Sequence, residues 1–174
     1  TEEEKTQISN TYLNIINENV SKNNFSKHTN WKVRLVVKKL FFVSISICFV
    51  MVATAFLLPS IKKSDYATII NIASVVSHAG YPNQSAYTAS KHALLGFTKS
   101  LANEVFTDGV RVHAISPGGV YTDMVKISRP DLSPEGMIMP DEISDIVRFL
   151  VENRGNAVID EVLVHRVNKE PFLT

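Results

Sequence analysis

The sequence predicts an α/β fold in which a parallel sheet is flanked by helices, and three observations predict it. Three short apolar runs rich in β-branched residues read as buried strands: 67–72 (ATIINI), 110–115 (VRVHAI) and 157–164 (AVIDEVLV). Helix-length segments, 83–106 and about 140–153, lie between them. The order strand, helix, strand, helix, strand is what parallel pairing requires, because each crossover must return the chain to the same end of the sheet. Small, polar and turn-forming residues follow the first two strands: Ser74, then Pro117-Gly118-Gly119. Ligands collect at that carboxyl end in open α/β sheets.

Composition narrows the function classes. The 174 residues suffice for one domain with a real core. A formal charge of +1 makes no electrostatic case for nucleic acid, which needs a basic face. Cys48 is the only cysteine, so no internal disulfide and no cysteine-based zinc site can form. His28, His78, His92, His113 and His165 never fall at metal-ligand spacing, and no metal site is expected.

Each segment has its own reading. Residues 1–39 form a polar N-terminal segment, and 40–174 the folded domain. Within the first thirty residues Ile8, Tyr12, Ile15 and Ile16 fit a short amphipathic helix in an otherwise mobile terminus. No basic start or apolar core of a secretory signal is present there, and a cytoplasmic protein is expected.

Residues 40–58 run without a charge between Lys38-Lys39 and Lys62-Lys63. That length suits a membrane span, and the rival reading is a helix buried on all sides in the protein or in a subunit interface. Pro59 is expected to stop it. In 83–106, Ala89, Ala93, Phe97, Leu101 and Val105 read as one apolar stripe. Asp108-Gly109 marks a turn. A Pro- and Ser-containing loop is expected to run to about residue 139, and Pro140-Asp141-Glu142 opens the next helix with acids in its first turn.

The chemistry concentrates in Tyr87-Thr88-Ala89-Ser90-Lys91. A helix brings residues four apart to one face. A phenol ordinarily ionises near ~10, too high for a base at neutral pH, and a neighbouring ammonium favours the phenolate. Such a pair can pass a proton to or from an alcohol or carbonyl oxygen. Ser74 lies thirteen residues before Tyr87, at the end of Asn71-Ile72-Ala73-Ser74. Ala79-Gly80 lies between them, and Pro117-Gly118-Gly119-Val120-Tyr121-Thr122 follows the next strand. Ser74 is not in a GxSxG elbow, which argues against a serine hydrolase.

This ordered set resembles the catalytic half of the short-chain dehydrogenase/reductase family, over roughly residues 43 to 168. The resemblance implies a partial Rossmann-like parallel sheet and an oxidoreductase acting on alcohol or carbonyl groups with NAD or NADP. It implies Ser74, Tyr87 and Lys91 as catalytic residues. Ser74 would bond the substrate oxygen, Tyr87 would be the acid/base, and Lys91 would favour its phenolate and hold the nicotinamide ribose. Tyr87, Lys91, Pro117, Gly118, Val120 and Thr122 would bind the cofactor. Helices 43–58 and 83–106 would pair with a second copy.

The resemblance also has departures. The first glycine is Gly80, so no Gly-rich turn for the pyrophosphate precedes it. The family's Asn-Asn-Ala-Gly segment is absent, and its further catalytic Asn falls on Ser46 or Ile47. The N-terminal dinucleotide-binding half is therefore expected to be missing. That leaves a truncated oxidoreductase, a non-catalytic relative acting through helix-mediated assembly, or a membrane-anchored chain held by 40–58.

Overall fold

A computed structural model describes residues 47–170, with nothing said of the Ser128 side chain. The described residues all belong to one compact unit. The expected helix around Ile8 to Ile16, and Ser46, lie outside the described residues.

The described part of helix α1 covers 47–61. Contrary to expectation, Pro59 does not stop it. A proline costs a helix its own N–H bond, but near the end only one bond is lost. The next turn still closes, with Lys62 N donating to the Leu58 carbonyl at 3.0 Å. Leu58 and Ile61 also pack against the core, which favours continuing past the proline. Among the described residues no helix is long and apolar enough to cross a membrane; residues 40–46 of the apolar run lie outside them. Nor is α1 buried on all sides in this chain, because Phe49, Val52 and Phe56 are 71%, 68% and 83% exposed.

Strand β1 (Thr68–Ile72) leads through a 3-10 turn (Val75–Ser77) into helix α2 (Ser85–Val105). A second 3-10 turn (Phe106–Asp108) ends on Gly109 at φ 75°, where a residue without a Cβ relieves the strain. Strand β2 (Arg111–Pro117), helix α3 (Asp123–Ser128), helix α4 (Pro140–Glu152) and strand β3 (Glu161–Val164) complete the order. The sheet is parallel throughout, in the order β1-β2-β3. Ile72 pairs with Ile115, and Pro117 with Val164. The predicted fold class is thus the observed one.

Three elements differ from expectation. Helix α3 lies where a loop was expected, started by the Thr122 hydroxyl accepting from Val125 N at 3.4 Å. Strand β3 is shorter than 157–164, since its pairing with β2 begins only at Ala114↔Glu161. Just before that, the Ile159 carbonyl meets the His113 ring nitrogen at 2.6 Å.

The α2 stripe is rotated as well. Ala89 and Ala93 are exposed, while Ser90, Leu94, Thr98, Leu101 and Val105 are buried. Steps of four overshoot a turn of 3.6 residues by about 40° each, so a strict i+4 series winds off any one face. Burial follows the mixed spacing of three and four instead.

The core sits at the amino ends of the strands. Ala67, Leu101, Val105, Val110 and Val112 form it, with Leu58, Ile61, Ile69 and Phe97 packed against it. Arg154 ties this end together, donating to the Ala67 carbonyl at 2.8 Å, Thr68 Oγ1 at 2.7 Å and the Gly109 carbonyl at 3.2 Å. The carboxyl ends are left for other uses. Replacing Leu101 with Ala should cost about 2–5 kcal/mol of unfolding free energy through the cavity it leaves. Ala93→Gln, on the exposed face, should change it by less than about 0.5 kcal/mol. Urea unfolding of both variants checks the rotated stripe.

Candidate active site

Tyr87 and Lys91 lie one turn apart in the first half of α2 and open on one cleft of ≈ 430 Å³. Ile70, Asn71 and Ile72 of β1 form one wall, Tyr87, Ser90, Lys91 and Leu94 of α2 another, and Ile47 and Val50 of α1 close it. Asn71 fixes the spacing between strand and helix. Its amide donates to Thr98 Oγ1 at 2.9 Å, which donates on to the Leu94 carbonyl at 2.7 Å, all in buried surroundings. Buried polar groups satisfied in series hold one geometry, since breaking any link strands the next.

The Lys91 ammonium donates to the Ile72 carbonyl at 2.8 Å and stands 5.9 Å from the Tyr87 ring centroid. Burial pushes its pKa below the ordinary lysine value, because desolvation penalises the charged form. One of its three N–H groups is engaged in that bond, which leaves donors for a ligand. Tyr87 is 38% exposed, and among the described residues its hydroxyl takes no hydrogen bond. Ser90 donates to the Tyr87 carbonyl at 2.6 Å, which turns its own hydroxyl back into the helix.

Ser74 is buried and extended (φ −171°), and caps the turn Val75–Ser77. Its hydroxyl accepts from Val76 N at 3.3 Å and donates to the Pro117 carbonyl at 3.4 Å. That second bond joins the end of β1 to the end of β2. Ser74 and the Pro117–Thr122 loop do not line the Tyr87–Lys91 cleft, so the expected residues fall into two linked groups. The buried Ser77 connects them, its hydroxyl donating to the Lys91 carbonyl at 3.0 Å.

The loop after β2 is held on both sides. Gly118 N donates to the Val164 carbonyl at 2.8 Å, and Ile138 N to the Gly119 carbonyl at 3.2 Å. Val120 bridges to Ile138. A Cβ on Gly119 would lie 3.2 Å from Met137 Cε and 3.3 Å from Arg166 Cδ, so these flexible side chains pack closely on the loop. Thr122 engages its hydroxyl in capping α3, a task its sequence position did not reveal.

Of the two positions considered for a further catalytic Asn, Ile47 lies on the cleft as an apolar wall, and Ser46 is outside the described residues. Sequence reading missed Ser90 as a cleft residue, although its place inside the Tyr87–Lys91 motif was the available signal. It also missed His78, Ser116 and Glu161. His78 Nε2 lies 2.7 Å from Glu161 Oε1, and Ser116 donates to the same carboxylate oxygen. Among the described residues no group of three or more metal-ligating side chains occurs.

Known proteins share sequence and fold with this chain. A 3-oxoacyl-[acyl-carrier-protein] reductase (FabG) of Rickettsia bellii is 38% identical over 115 residues, covering 60% of this chain and 48% of that protein. Carbonyl reductase family member 4 of Xenopus tropicalis is 40% identical over 101 residues, covering 55% and 43%. A solved structure of 4-hydroxyisoleucine dehydrogenase complexed with NADH and succinate superposes with a TM-score of 0.53 at 28% identity, covering 66% of this chain and 51% of that one. The chain spans about half the length of the curated relatives it matches. The family model described as short chain dehydrogenase matches residues 5–133, which takes in most of the polar N-terminal stretch as well as the site. The chain belongs to the short-chain dehydrogenase family.

Proposed function

We propose that the chain is an NAD(P)-dependent oxidoreductase acting between a small alcohol and its carbonyl. One observation carries the reading: Tyr87, 38% exposed and with no hydroxyl hydrogen bond among the described residues, shares a cleft with a half-buried lysine one turn away. The names of the relatives, reductases of 3-oxoacyl and carbonyl groups, favour carbonyl reduction as the working direction.

The donor set fits the nicotinamide-ribose end of a dinucleotide. Lys91 has free donors for ribose hydroxyls, and the cleft volume lies within the range of small-molecule sites. Pro117, Gly118, Val120 and Thr122 would border the ring. A bound nicotinamide supplies or takes the hydride. In reduction, the Tyr87 hydroxyl donates its proton to the carbonyl oxygen, and in oxidation it accepts one from the alcohol. Ser74, which does not line the cleft, would donate to the same oxygen by the family resemblance, after leaving the Pro117 carbonyl, a bond long enough to exchange cheaply. The Lys91 charge beside the ring favours the phenolate left behind. Among the described residues, the holding interactions at this end come from Lys91.

A second reading, assembly through helices without catalysis, is favoured by the exposed stripe of Phe49, Val52 and Phe56. These fall on one face of α1 at spacings of three and four, and such a stripe calls for a partner. A second copy covering it is the proposed partner.

Calorimetric titration with NADH and NADPH tests the first reading. Millimolar or tighter binding is expected, weakened at least about tenfold in Lys91→Ala, or ~1.4 kcal/mol. Tyr87→Phe should keep that binding and lose about 10²–10⁴ in turnover of a ketone. A folded sample that binds neither dinucleotide removes the reading. For the second, sedimentation velocity should give a dimer for the native chain and a monomer for Phe56→Glu. A native monomer at high concentration removes it.

A further inference from the structure

We propose that Glu161 is a positioning residue for Ser74, acting through His78 and Ser116. The inference rests on the reading of Ser74 as a substrate-binding hydroxyl. Ser74 begins the turn Val75–Ser77 and His78 ends it, with His78 N donating to the Val75 carbonyl at 3.1 Å. Ser74's own bonds, 3.3 and 3.4 Å, lie beyond the usual hydrogen-bond range and hold its hydroxyl only loosely. The turn closes on itself, with Ser77 N donating to the Ser74 carbonyl at 2.9 Å, and it is tied to the sheet from outside as well. At its far end the His78 ring is fixed by Glu161, 83 residues further along the chain.

The same carboxylate oxygen accepts from Ser116, which is 0% exposed. A hydroxyl so buried has no water to turn to, so losing this acceptor would strand it. Ser116 immediately precedes Pro117, whose carbonyl receives the Ser74 hydroxyl. One carboxylate thus sets both the end of the turn and the strand residue beside Ser74's acceptor. Ser77, inside the turn, bonds the Lys91 main-chain carbonyl, which ties the turn to α2. Glu161 itself touches no reacting atom. A plain surface ion pair would contribute little and would leave the turn in place without it.

Hydrogen–deuterium exchange on the full chain, with ketone turnover in the same preparations, tests this. In Glu161→Ala, exchange at the Val76, Ser77 and His78 amides should rise at least about tenfold, with α2 and residues 111–115 of β2 unchanged. Glu161→Gln, which keeps a side-chain oxygen as acceptor, should recover part of that protection. Turnover number should fall in Glu161→Ala with the KM for dinucleotide unchanged, and recover in part with Gln. Equal protection in native chain and Glu161→Ala overturns the proposal. So does exchange that rises evenly along the chain, which marks a merely structural role. A native chain without turnover overturns the oxidoreductase reading and Ser74's part in it. The exchange pattern still decides whether Glu161 sets the turn, so the two failures are told apart.

Discussion

The parallel pairing of β1 with β2 is the constraint on which the rest depends. Its register, Ile72 against Ile115, brings the two carboxyl ends side by side. Ser74 can then reach the Pro117 carbonyl across 43 residues of chain. An antiparallel pair would send the two ends to opposite edges of the sheet. Parallel pairing also forces a crossover, and α2 is that crossover. Packing α2 back on β1 through Asn71 and Thr98 is what brings Tyr87 and Lys91 over the strand end. The apolar core occupies the other end of the strands, so polar groups at the site do not compete with it.

Lys91 shows how sheet and site share parts. Its ammonium rests on the carbonyl of Ile72, in the outermost strand of the described sheet. Burial lowers its pKa, and it stands 5.9 Å from the phenol ring centroid. Ser74 and Thr122 likewise use their hydroxyls within the protein, one in a turn and one in a helix cap. A substrate or cofactor would compete with backbone bonds of the Ser74 and Thr122 hydroxyls, and those bonds are the longest at the site. That is a workable arrangement, because long bonds are given up at small cost.

Much of this was legible in the sequence, for physical reasons. β-branched runs and apolar spacing report strands and helices locally, so the element order and the parallel sheet could be read directly. The Tyr87–Lys91 pair was legible because helical spacing alone puts it on one face. What escaped depended on distant partners or on fine geometry. The Glu161–His78 contact joins residues 83 apart, and nothing near either one announces it. Helix α3 rests on a single threonine cap within a Pro- and Ser-containing stretch. The buried stripe of α2 departs from a strict i+4 series because the helix turns in 3.6 residues. Pro59 was read by its intrinsic preference, which packing by Leu58 and Ile61 overrode.

The central claim is that Tyr87 and Lys91 still support hydride chemistry at a carbonyl carbon. Its most direct test supplies the full chain with NADH or NADPH deuterated at the transferable nicotinamide position, together with a panel of small ketones. Mass spectrometry then reads the product alcohols. The account predicts deuterium on the carbinol carbon with the native chain and none with Tyr87→Phe. A folded native chain that leaves every ketone unlabelled with both dinucleotides would contradict it.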